Sequence, residues 1–165
     1  MPILQEGELK FSFPATAIPF RFDGATHGLS HCMKAVDFIV EFTSFYLFVE
    51  VKDPDNTQAT PERRARFASE LAQPAFPRAL SRKYRDSFVY RWAERKIDKP
   101  LRYVVLLQLS TLQPALYLAV DQALKCELPI ASTPSSWVRP IASGLAVLSV
   151  AQWNAIGHYG TIQRV

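Results

Sequence analysis

The sequence predicts an α/β fold, a mixed central β-sheet flanked by helices, and three observations carry that prediction. Two runs dense in β-branched and aromatic residues, 36–42 and 45–52, stand two residues apart. Two helical patterns follow, between about residues 60 and 96. Strand and helix patterns then alternate to residue 153. At 165 residues the chain has the size of one domain, 1–165.

The first strand signal is the alternation Leu9-Lys10-Phe11-Ser12-Phe13, within an extended stretch 8–22 that ends at the turn pair Asp23-Gly24. Residues 24–34 read as loop or short helix. The paired runs 36–42 and 45–52 read as a β-hairpin, closed by Asp53-Pro54-Asp55-Asn56. Thr60-Pro61-Glu62 starts a helix, with Thr60 as N-cap and proline at the first helical position; it should reach Leu71. Pro74 and Pro77 then interrupt, so a second helix is expected from about 79 to 96, burying Leu80, Tyr84, Phe88 and Trp92. Tyr90 falls off that stripe and is expected at the surface. Residues 101–109 are apolar on both faces, the mark of a central strand. Residues 114–127 form a helix with Leu116, Val120, Ala123 and Leu124 inward; 144–148 a strand; and Ser149 caps a short helix through Trp153.

Composition excludes several classes. With 48% hydrophobic and 21% charged residues the chain is neither disordered nor fibrous. The uncharged apolar stretch near the end, 141–151, is far short of the ~20 residues that cross a bilayer. The first ten residues carry Glu6 and Glu8 and no apolar leader core, so the cytoplasm is the expected compartment and no membrane contact is expected. Cys32 and Cys126 form no CxxC, and His27, His31 and Cys32 lack a second ligand pair, which argues against a zinc site. Gly-rich phosphate loops and GxSxG are missing.

The chemistry concentrates on the hairpin. Side chains alternate along a strand, so Glu50 and Lys52 share one face while Leu47, Val49 and Val51 share an apolar one. With Thr43-Ser44 as a two-residue tip, Phe42 opposes Phe45 and, stepping outward, Asp37 opposes Glu50, their Cβ atoms about 5 Å apart. Two carboxylates so placed repel unless a cation sits between them. Lys52 is one candidate cation and a divalent ion another, since two carboxylates with phosphate and water oxygens make a magnesium site. An exposed cross-strand ion pair at the hairpin's end would show the same spacing.

The charge distribution adds a partner. From Arg63 to Arg102 there are twelve Lys and Arg against four Asp and Glu, while the rest of the chain is acidic. A basic segment beside an acidic remainder fits a polyanion, although two solvated arginine-rich helices would look alike.

Asp37, then Glu50-Val51-Lys52 at the end of an apolar strand and followed by helices, resembles the PD-(D/E)XK nuclease superfamily, the restriction-endonuclease-like fold. The resemblance covers residues 36–109 in element order. It implies that Asp37, Glu50 and the backbone carbonyl of Val51 ligate Mg²⁺ or Mn²⁺. It also implies that Lys52 orients or deprotonates the attacking water, in hydrolysis of nucleic-acid phosphodiesters, DNA in preference to RNA. Arg63, Arg64, Arg82, Lys83 and Arg85 are the expected nucleic-acid contacts. Lys83 is either an auxiliary phosphate contact, because the helix after the ExK strand faces the site in this fold, or a solvated lysine beside Asp86. The family usually has a helix before its first core strand, often bearing a metal-site Glu. Here residues 8–35 look extended, and Asp23 is the nearest substitute. The alternative is a catalytically inactive module of the same fold, binding nucleic acid or a protein through its basic 63–102 helices. A small chain also leaves room for a homodimer or larger assembly.

Overall fold

The computed structural model describes residues 1–130 and 132–165. The chain runs β1 (Ile3–Glu6), β2 (Leu9–Ser12), β3 (Ile18–Arg21), a 3-10 turn (Ala25–His27), β4 (Phe38–Glu41), β5 (Tyr46–Lys52), α1 (Pro61–Leu71) and α2 (Ala75–Ala93). It continues with β6 (Leu101–Leu107), α3 (Pro114–Cys126), β7 (Gly144–Leu148), α4 (Val150–Ile156) and β8 (Thr161–Arg164). The main sheet has the order β3-β4-β5-β6-β7. Its first three strands are antiparallel neighbours, and β5, β6 and β7 run parallel. The sheet is therefore mixed and the fold α/β. A second sheet, β1-β2-β8, is antiparallel throughout.

The hairpin register follows from the tip. Phe42 N donates to Phe45 O at 2.9 Å, leaving Thr43 and Ser44 as the two-residue turn. The ladder then pairs Glu41 with Tyr46 and ends at Phe38 with Val49, one step short of Asp37 and Glu50. Since β5 carries a sheet neighbour on each edge and packing on each face, both of its side-chain rows are buried. Leu47 and Val49 pack with Phe38, Val40, Val104 and Leu106 against Phe11, Phe13 and Trp153, beneath the small sheet and α4. Tyr46 and Phe48 pack on the other face with Ile39, Tyr103 and Val105 against Leu80 and Tyr84 of α2 and Val120 and Leu124 of α3. The apolar row of β5 is core as expected, but so is the row that ends in Glu50.

Helix α1 starts as the sequence predicts, with the Thr60 side chain accepting from Arg63 N at 3.3 Å. Helix α2 departs from prediction at both ends. It begins at Ala75, because Pro77 lies in the first turn, where a missing N–H costs no hydrogen bond. It stops at Ala93, just before Arg95 takes a left-handed φ of 59°. Its buried stripe also differs: Pro77, Leu80, Ser81, Tyr84, Ser87 and Arg91 are buried, Phe88 is half-buried and Trp92 is 62% exposed. A strict four-residue spacing drifts by about 40° per step around a helix of 3.6 residues per turn, so the fourth member leaves the core. Tyr90, expected at the surface, stacks on buried His27 at 4.5 Å and meets Phe22 edge-on.

Leu101–Leu107 is the central parallel strand, and α3 buries Val120 and Leu124, although Ala123 is exposed. Ser149 caps α4 through a full capping box with Gln152. The extended stretch 8–22 resolves into β2 and β3, while β1 and β8 are short strands that the sequence reading does not find. No helix among the described residues is long and apolar enough to cross a membrane.

Candidate active site at the end of the hairpin

Four side chains converge where β4 begins and β5 ends: Asp37, Glu50, Lys52 and Lys83. Asp37 precedes β4 and is held from three directions. Its carboxylate Oδ2 accepts from Val51 N at 2.6 Å, replacing the ladder bond that β4 no longer supplies. Its carbonyl accepts from Phe22 N at 3.0 Å. The residues leading to it hang on α2, where Ser87 Oγ accepts from Val36 N at 3.0 Å and Asp86 Oδ2 from Lys34 N at 2.8 Å. N–H and C=O of one strand residue point to the same edge, so the Val51 carbonyl also faces the space beyond the end of β4.

Glu50 is fully buried. Both lysines reach the same oxygen: Lys83 Nζ lies 2.6 Å and Lys52 Nζ 2.7 Å from Glu50 Oε1. Lys83 Nζ is also 3.5 Å from Asp37 Oδ1, so it bridges the two acids. The other oxygen, Glu50 Oε2, is enclosed and accepts no hydrogen bond. Burial of this kind excludes the exposed cross-strand pair that the spacing alone allowed. It also corrects the picture of Lys83 as a solvated lysine beside Asp86, because Asp86 pairs with Arg82 Nε at 3.5 Å instead.

Burial, with Asp37 adding to it, lifts the Glu50 carboxyl above the ordinary carboxylate range; Lys52 and Lys83 oppose this without cancelling it. Burial pulls the Lys83 ammonium down, but Glu50 and Asp37 outweigh it and leave Lys83 above its usual value. Both shifts have one meaning: the cluster holds its protons tightly. Two further acids feel it. Asp23 is raised by burial and then by Asp37, and Glu6 by burial, with Asp37 and Asp23 adding, against the opposing pull of Arg21. The N-terminal segment therefore brings carboxylates toward Asp37 from strands and a turn. From sequence Asp23 is the nearest substitute for a helical Glu, and Glu6 is set aside because it sits on no convincing helix; the structure places it at the end of β1.

The small sheet fixes the loop after Lys52. Arg164 donates to Asp53 at 2.8 Å and to Glu8 at 2.9 Å, and Glu8 accepts from Thr57 N at 2.9 Å.

The five basic residues singled out by sequence separate. Only Lys83 joins the acids. Arg82 and Arg85 are exposed on α2, and Arg63 is exposed on α1 beside a cavity that Lys52 also lines. Arg64 turns inward, donating to Ala59 O at 3.0 Å with its Nε buried.

Glu50 Oε2, Asp37 Oδ1 and the Val51 carbonyl are hard oxygen atoms, a donor type that suits Mg²⁺ or Mn²⁺ better than zinc. Among the described residues no three His, Cys, Asp or Glu side chains gather closely enough to cage an ion alone. Any ion here would complete its shell with water or phosphate oxygens.

No family model matches the sequence, and no curated protein or solved structure is significantly similar to the chain.

The arrangement lies at the C-terminal end of β5, the parallel neighbour of β6, an edge where open α/β sheets characteristically hold ligands. It combines two carboxylates with two ammonium groups.

Proposed function

We propose that the chain is a metal-dependent nuclease of the PD-(D/E)XK type, hydrolysing phosphodiester bonds of DNA. The observation that carries this reading is the meeting of Asp37 and Glu50 beside Lys52, with one Glu50 oxygen enclosed and unpartnered. Asp37, Glu50 and the Val51 carbonyl would hold Mg²⁺ or Mn²⁺. A bound ion of this kind lowers the pKa of a coordinated water and offsets phosphate charge. Lys52, anchored on Glu50, orients the attacking water and donates to the charge that grows on the phosphate oxygens. Lys83 supplies a second positive charge to the same phosphate.

One observation favours a second reading, a catalytically inactive module that binds nucleic acid through the basic helices. Lys52 and Lys83 already neutralise the two acids, so the cluster is charge-balanced without an ion. Plasmid nicking separates the two. Supercoiled DNA should be relaxed by the wild type with Mg²⁺ or Mn²⁺, but not with a chelator and not by Lys52→Ala. Salt-sensitive binding without nicking would establish the inactive module.

A further inference from the structure

Beside the acid pair, the first half of α2 and the segment before β4 form a groove of about 520 Å³ lined by Lys34, Ala75, Arg78, Ala79, Arg82 and Lys83. We propose that this groove seats the sugar–phosphate backbone of duplex DNA through phosphate contacts alone, an assignment of the substrate's path that rests on the nuclease reading.

Four of the six lining residues are cationic, and those on α2 recur on one face over successive turns. The acids nearby do not silence them. Arg78 Nε is 3.5 Å from Glu127 Oε1 and Arg82 Nε 3.5 Å from Asp86 Oδ2. Both contacts are long, and both arginine side chains are more than half exposed, a setting in which a pair holds its partners weakly. Ala75 and Ala79 make a low floor on which a backbone can lie close.

The lining also says what is not read. It contains no aromatic ring to stack on an unpaired base and no amide side chain to read a base edge. The aromatics of α2 are elsewhere, with Tyr84 in the core and Tyr90 on His27. A groove of cations and alanines recognises phosphates spaced along a duplex, independent of sequence. Lys83 gives it direction, since it lines the groove while its Nζ contacts Glu50 and Asp37. A backbone lying here ends at the acid pair.

The test is fluorescence anisotropy of the full chain with a labelled duplex in a chelator, over a series of salt concentrations. The Arg78→Ala/Arg82→Ala double variant should bind about tenfold or more weakly, with the salt slope reduced by roughly two. A control losing the same charge outside the 63–102 segment, Lys10→Ala/Arg139→Ala, should change far less, and Arg78→Lys/Arg82→Lys should restore most of the binding. Equal losses in both double variants, no loss, no duplex binding by the wild type, or tighter binding to single strands than to duplex would each overturn the proposal. Because the chelator removes cleavage from the measurement, the two readings fail separately. A chain that binds here but never nicks plasmid keeps the groove and loses the hydrolytic reading. One that nicks while the groove variant binds normally does the reverse.

Discussion

Lys83 places its ammonium 2.6 Å from Oε1 of Glu50, across 33 residues of chain. This contact joins α2 to the end of β5, and it puts a fixed positive charge where a divalent ion would also be drawn. Lys83 and an ion would therefore compete for the same two acids. Replacing Lys83 by Met should tighten Mn²⁺ binding by about tenfold or more, since an opposite charge at this range is worth one to three pKa units. The same variant should lose cleavage through its missing phosphate contact. Calorimetric titration measures the first effect, and unchanged or weaker Mn²⁺ affinity would show that Lys83 does not guard the acids.

Asp37 has two jobs, and two substitutions separate them. Asp37→Asn keeps an oxygen for Val51 N and should stay within about 1 kcal/mol of wild-type stability. Asp37→Ala leaves that N–H without its partner and should cost about 1–3 kcal/mol. Both should abolish Mn²⁺ binding. Denaturant melts alongside metal titrations distinguish the roles; equal stability of the two variants would mean the Val51 bond contributes nothing.

Because Glu50 is raised by its burial and by Asp37, its proton favours the folded state. At low pH both states hold that proton and no penalty exists. As pH rises through the ordinary carboxylate value the unfolded chain releases it first, and stability falls until the folded-state value is passed. Glu50→Gln lacks this loss. Relative to wild type it should gain stability as pH climbs across that window, and denaturant curves at a series of pH values would show a constant difference if the assignment is wrong.

The two faces of β5 predict a severe variant. Val49 is fully buried against the small-sheet side, so Val49→Asp places a lone charge in a core and should prevent folding at ordinary temperature. A cooperative melt near that of wild type would contradict the face assignment.

Along α2 the costs should follow the observed stripe. Tyr84 is buried between Phe48 and Tyr103 and donates to Ile141 O, so Tyr84→Ala should cost about 3–5 kcal/mol. Trp92→Ala, on the exposed side, should cost under about 1 kcal/mol. Equal costs would restore the four-residue stripe.

What could be read from sequence was what is local. The hairpin tip, the Thr60 cap, the central strand and the Ser149 cap depend on residues within one turn or one pairing step, and all four stand in the structure. The opposition of Asp37 and Glu50 followed from that same tip. Lys83 could be named but not placed, because its contact with Glu50 depends on how α2 crosses the sheet, which no local pattern encodes. The second sheet was harder still: β1 and β8 are four residues each, and β8 pairs with β2 from the far end of the chain.

The turn at Thr43 and Ser44 has a reach far beyond its size. Strand faces count in twos, so an extra residue drawn into the first strand with the two-residue tip kept would point Asp37 at Trp153 and the small sheet while Glu50 still faced α2. A bulge, or a turn one residue longer, absorbs the odd residue and leaves the two acids able to meet. A turn six residues from each acid thus governs whether the two carboxylates share one face of the sheet.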